Sequence, residues 1–157
     1  MKSWLVLLCG LILLLAGCSE KSESAPEIDD SYKRPPTLFL AVSDVLIEKI
    51  EAQNYTWQYV DKTTQQIEKA STDALPPSKT VSITKPVQIK SMRYLKIGFQ
   101  PKPQYYRIIL WDAYDRQQQT YTNAADIKEQ GTYIMEVEAN FETGKAHYYI
   151  PVTFPEK

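Results

Sequence analysis

An all-β fold, two sheets packed as a sandwich, is the class this 157-residue sequence predicts, and two observations carry that expectation. Two long stretches near the C-terminus alternate apolar and polar residues with period two, the pattern of half-buried strands. Upstream, short apolar runs are separated by turn residues at regular spacing, as in sandwiches.

The chain opens on Met1-Lys2, a positive start, followed from Trp4 to Leu15 by an apolar run of about a dozen residues, shorter than the roughly 20 a membrane-spanning helix requires. Residues 1–17 therefore read as a secretory leader. Residues 18–36 are mostly Ser, Glu, Lys, Asp and Pro, a composition that cannot bury enough surface to offset its ordering entropy, so this stretch is expected to be a solvated linker. The Asp29-Asp30 pair falls in it, with no pocket to perturb either carboxylate.

From residue 37 to 157 a single domain is expected, with roughly 120 residues for a self-supporting core. Leu38, Leu40 and Val42 open it as a strand. Ser43 to Gln53 is ambiguous, since Ser43 could cap a helix and Val45, Leu46 and Ile50 fit a helical face as well as a strand; the surrounding strands favour a strand. Lys62 to Ser71 is polar, with room for one helical turn, and Asp73 to Pro77 reads as a Pro-marked corner. Val81 to Ile83 and Val87 to Ile89 are short strand candidates split by Pro86.

Leu95, Ile97 and Phe99 alternate with Tyr94, Lys96 and Gly98, and Pro101 and Pro103 separate this run from Tyr105 to Trp111. These are two further strands. Tyr133, Met135, Val137, Ala139 and Phe141 then alternate with Thr132, Ile134, Glu136, Glu138 and Asn140. After a hairpin turn at Glu142-Thr143-Gly144-Lys145, Ala146, Tyr148, Ile150, Val152 and Phe154 alternate with His147, Tyr149, Pro151 and Thr153. Pro151 cannot donate to a ladder, so the last strand must be an edge or be bulged there.

Composition excludes several chemistries. Cys9 lies in the leader and Cys18 at its end, so the folded part can have neither disulfides, thiol catalysis nor Cys-zinc sites, and a lone His147 rules out a His-His metal pair within one chain. Beyond the leader only Gly98, Gly131 and Gly144 remain, too few for a phosphate loop. No metal or cofactor is expected. The formal charge is −1; Lys2 leaves with the leader, giving 17 basic against 19 acidic side chains, which points away from nucleic acid.

Several side chains on this frame are candidates for a site. Glu136 and Glu138 share one strand face, a spacing that suits paired carboxylates, but alternation on a solvent-facing sheet explains them equally. Asp112 and Asp115 flank the Trp111 turn and could hold calcium, although Asp-rich turns are common without it. His147 alternates outward and reads as an exposed, idle imidazole. Between Asp73 and Asp112 no acidic residue occurs, yet seven basic ones do; if Lys90, Lys96 and Arg107 share an outer sheet face, that face would attract anionic lipid, wall polymer or an acidic partner.

Leu15-Ala16-Gly17-Cys18 resembles the lipobox of bacterial lipoproteins, in which the cysteine becomes a diacylglyceryl thioether and the first mature residue. Ser19 at the second mature position implies release from the inner membrane in a Gram-negative host, while the composition resembles Gram-positive, Bacillus-type surface proteins. Tyr55-Thr56-Trp57, Asp73-Ala74-Leu75-Pro76-Pro77, the run Leu95-x-Ile97-x-Phe99-x-Pro101, Trp111, Gly131-Thr132-Tyr133 and the Gly144 hairpin together resemble the immunoglobulin-like domain of small, uncharacterised Firmicute lipoproteins. That resemblance covers Pro36 to Phe154. It implies an immunoglobulin-like two-sheet sandwich with Trp57 or Trp111 in the inter-sheet core and Tyr133 as a corner residue, and it implies no activity.

The expected protein is a non-enzymatic binding or accessory module on the outer side of the cell membrane, held by lipid at Cys18, with an envelope protein or an anionic wall polymer as partner. A small envelope hydrolase and a structural spacer are the rival expectations.

Overall fold

The computed structural model describes residues 33–156. The expected leader, the expected lipidation site Cys18 and most of the expected linker, Asp29-Asp30 included, lie outside the described residues. Ten strands build the two-sheet sandwich that the alternation predicts.

The smaller sheet contains β1 (Leu38–Val42), β2 (Val45–Ile50) and β6 (Leu95–Phe99) in the order β2-β1-β6, all antiparallel. Ser43 and Asp44 take positive φ, 51° and 66°, the backbone of a two-residue hairpin turn whose twist matches its strands. Ser43 thus turns the chain into β2 rather than capping a helix, and the ambiguous segment is a strand.

The larger sheet runs β4 (Ile67–Ser71), β3 (Asn54–Val60), β10 (Gly144–Phe154), β9 (Gly131–Phe141), β7 (Tyr105–Trp111), β8 (Gln117–Tyr121). The short β5 (Val87–Gln88) joins it beside the end of β10, in parallel. The stretch Val81 to Ile83 forms no strand. Instead a one-turn helix, α1 (Pro77–Thr80), follows the Pro76 corner, with proline at its first position, where no N–H bond is lost.

β9 and β10 pair over their full length, Gly131 opposite Phe154 through to Phe141 opposite Gly144. Gly144 is required at the turn because a Cβ there would lie 2.1 Å from the Thr56 carbonyl oxygen. Pro151 sits in the middle of this strand without cost. His147 O accepts from Gln53 N, Tyr149 N donates to Gln53 Oε1 and Thr153 O accepts from Ile89 N, so the odd-numbered residues of β10 turn their backbone groups away from β9. On that side β3 stops opposite His147 and β5 begins opposite Val152, leaving Pro151 at a gap where no N–H is needed.

The core lies between the sheets, where Trp57, Phe99, Phe141 and Tyr148 meet edge to face at centroid distances of 5.4–5.8 Å. Trp57, not Trp111, is the inter-sheet tryptophan. Tyr148 is wholly buried, and its hydroxyl donates to the Pro36 carbonyl at 2.6 Å, fastening the chain just before β1. Tyr133 packs against the Phe154 ring at 6.0 Å, and its hydroxyl makes no hydrogen bond among the described residues, so it is a packing residue rather than a corner.

The outer face of the larger sheet is also covered. Between β4 and β5 the chain crosses it: Asn54 donates to the Asp73 carbonyl at 2.9 Å, Pro77 is buried, and α1 contacts β9. Ser78 donates from N and Oγ to the Asp115 carboxylate at 2.7 and 2.6 Å. Ile109, Ile134 and Tyr149, which all point to this face, are consequently buried.

Candidate functional site

Beside the crossover, the outer face gathers the most concentrated polar cluster among the described residues. Register places it there. Arg107 lies opposite Glu138 and Ile109 opposite Glu136 across β7–β9, while Glu138 faces His147 and Glu136 faces Tyr149 across β9–β10. Glu136 and Glu138 are only 4 % and 7 % exposed, so the expectation of solvent-facing carboxylates is corrected: the face that alternation directs outward is roofed by the crossover and by neighbouring long side chains.

Each carboxylate is matched by donors. Glu136 accepts the Trp111 indole N–H at 2.6 Å, and its other oxygen lies 2.6 Å from His147 Nδ1 and 3.3 Å from the Tyr149 hydroxyl. Asn54 turns its amide nitrogen to the Gln53 and Asp73 carbonyls at 3.2 and 2.9 Å, leaving its oxygen to accept from Tyr149 at 3.1 Å. Glu138 accepts from Arg107 at 2.9 Å and Lys145 at 3.2 Å. His147 is therefore a partly buried partner of a carboxylate, at 24 % side-chain exposure, and not an idle surface imidazole.

The electrostatics follow from these contacts. Burial pushes the Glu138 carboxyl upward, but hydrogen bonds and charge from Arg107 and Lys145 outweigh it and hold the group below its ordinary 4.5. Glu138 in turn raises Arg107, chiefly through their hydrogen bond. Desolvation, helped by the Glu136 charge, pushes Tyr149 up to about 12. A glycosidase pair needs one carboxyl kept protonated near neutrality. Here Glu138 is held ionised between two cations, the opposite of a general acid, and this cluster chemically resembles a satisfied ion-pair network.

The other sequence candidates are dispersed. Lys96 stands on the exposed face of β6 and pairs with Asp44 at 2.5 Å, whereas Arg107 stands on the outer face of β7 in the other sheet. The two faces point in opposite directions, and Lys90 lies exposed beyond β5. The proposed face of Lys90, Lys96 and Arg107 does not form, because strand spacing in sequence cannot reveal which sheet each strand joins.

Asp112 accepts from the backbone of Tyr114 and Arg116 and from the Arg116 and Gln118 side chains. Burial is the largest single influence and raises its carboxyl, but the backbone N–H groups of Arg116 and Tyr114 and the Arg116 guanidinium together outweigh it and lower it. Asp115 is taken by Ser78. Both carboxylates serve the turn and the crossover, and no cluster of His, Asp or Glu suited to a metal occurs among the described residues.

The residues that sequence reasoning missed are Trp111 and Tyr149 as partners of Glu136, and Asn54 as the partner of Tyr149; a sequence signal exists only for Tyr149, whose register opposite Glu136 follows from the hairpin. No family model, curated protein or solved structure matches the chain.

Proposed function

We propose that this protein is a lipid-anchored module on the outer side of the cytoplasmic membrane that binds or assists another envelope component and does no chemistry of its own. The single observation behind this reading is the run Leu15-Ala16-Gly17-Cys18 at the end of an apolar leader, followed by a polar linker and one sandwich domain. Two acyl chains at Cys18 give stable anchoring where one is marginal. The immunoglobulin-like affinity of the domain belongs to the same proposal.

Two features of the domain support a binding role. β2 and β4 are edge strands with unpaired backbone on one side, the usual template for strand addition by a partner, and β2 carries exposed Val45 and Leu46. The carboxylate pair that a hydrolase would use is saturated by Arg107, Lys145, Trp111 and His147.

Metabolic labelling with a palmitate analogue tests the anchor: the wild-type chain takes up label, and Cys18→Ala loses it and accumulates as unprocessed precursor. Label retained by Cys18→Ala overturns the proposal. In-cell cross-linking with separate membrane and wall fractions then tests the role, with a specific membrane-protein adduct expected.

A further inference from the structure

β6 is an outer strand of the smaller sheet, and its pairing with β1 decides which of its backbone groups stay open. Ser43 N donates to Tyr94 O, and the register carries that bonded pairing on to Ala41 with Lys96 and Phe39 with Gly98, because bonded and non-bonded pairs alternate along an antiparallel ladder. The residues between them, Leu95, Ile97 and Phe99, turn their N–H and C=O groups away from β1. Leu95 N is taken by Met92 O. The outward backbone groups of Ile97 and Phe99 have no partner among the described residues.

Beside this open edge, where β6 meets the start of β7, lies a groove of about 490 Å³. Ile97, Phe99, Pro103, Tyr105, Tyr106 and Thr122 line it, with the Phe99 and Tyr106 rings 5.9 Å apart. The helical turn Ala124–Asp126, just after Thr122, packs against β6 and closes the sandwich beside the groove. Gly98 also borders it and has no side chain to hold a second backbone away from the edge.

Two features identify the occupant. Free N–H and C=O groups at strand spacing match another extended polypeptide, which continues the ladder while its alternate side chains enter the neighbouring groove. Lys102 stands exposed at the rim without an ion pair among the described residues, and no acidic side chain lines the groove, so the complementary segment carries a carboxylate at that point. The chain's own N-terminal segment is directed elsewhere: Lys33 lies 3.6 Å from Asp61 at the β3–β4 turn, and β3 and β4 stand on the far side of the larger sheet from β7.

We infer that the edge of β6 and its groove form a strand-addition site for an extended, apolar segment of a partner protein, with an acidic residue of that segment beside Lys102. This rests on the binding-module reading above and names the edge at which the partner is held.

A phage library of random peptides, selected against the purified full-length chain, supplies the probe, and the most enriched peptide is synthesised for calorimetry and amide hydrogen exchange. The expected peptide has apolar residues at alternate positions and an Asp or Glu, slows exchange of the Ile97 amide when bound, and loses affinity by about tenfold or more in Ile97→Pro and in Lys102→Glu. Proline at position 97 removes an outward N–H, which an edge strand tolerates; circular dichroism checks the fold of both variants, and Lys102→Glu, in an exposed loop, carries the test if Ile97→Pro does not fold.

No enrichment, or a bound peptide that slows exchange in β2 or β4 and leaves Ile97 unchanged, overturns the site. Protection of the Ile97 amide in the protein alone that rises with its concentration also overturns it, by making the occupant a second copy. Each of these results leaves acyl labelling at Cys18 and a membrane-protein adduct in cells as they were, so loss of this edge is distinguishable from loss of the anchored-module reading.

Discussion

Glu138 has its charge held by two flanking cations, and the consequence for stability has a definite sign. Because its carboxyl is held below the ordinary 4.5, the folded state binds fewer protons there than the unfolded chain. Its contribution is complete above that value and is lost as pH falls below it. Urea midpoints measured from pH 6 down to pH 3 should therefore fall in the wild type, and fall less steeply in Glu138→Gln, which has no charge to lose. Equal slopes for the two would show that Arg107 and Lys145 contribute nothing at this position. Glu136 acts differently, as an acceptor under buried donors. Glu136→Ala leaves the Trp111 N–H and the Tyr149 hydroxyl without it and should cost about 3 kcal/mol by urea denaturation. Neither role was legible in the sequence, where alternation assigns both residues to solvent. What buries them is the crossover fastened by Ser78 and Asp115, a long-range event that no local pattern encodes.

At the scale of the element, strands were legible in proportion to how unequally their two faces are buried. β9 and β10 could be read residue by residue because core-facing Met135, Val137, Ala146 and Tyr148 alternate with polar neighbours. β8, written Gln117-Gln118-Gln119-Thr120-Tyr121, and β4, written Ile67-Glu68-Lys69-Ala70-Ser71, were not recognised. Both are edge strands with most side chains exposed, so neither face needs an apolar set and the period-two signal vanishes. Pro151 was legible as an exception but not as a solution, since the gap between β3 and β5 is visible only in the assembled sheet. That gap yields a paired prediction. Pro151→Ala should change stability by no more than about 1 kcal/mol, while Ile150→Pro, whose N–H points to β9, should lose about 3 kcal/mol or more. Chemical denaturation of both variants checks it; similar losses would mean that Pro151 does not lie at an unpaired position.

At the scale of the whole molecule, Tyr148 in the core between the sheets, Tyr149 on the outer face of the larger sheet and Tyr121 on edge strand β8 are tyrosines that must stay neutral. Desolvation raises Tyr148, whose hydroxyl is spent on the Pro36 carbonyl, and raises Tyr149 to about 12; burial together with Glu129 takes Tyr121 to about 12 as well. In each the folded state favours the protonated form. Their contribution is thus complete below the ordinary value near 10 and is lost as pH rises through the folded values. In a titration to high pH, the final rise of absorbance at the tyrosinate band should therefore coincide with loss of far-ultraviolet circular dichroism, because ionising Tyr148 breaks both the core and the fastening of the N-terminal segment. Tyr148→Phe separates these effects: it keeps the ring in the core but releases Pro36, so the domain should remain folded while the bond preceding Leu38 becomes more open to proteolysis. A Tyr148→Phe variant with wild-type protection there would show that packing alone holds the segment that leads into β1.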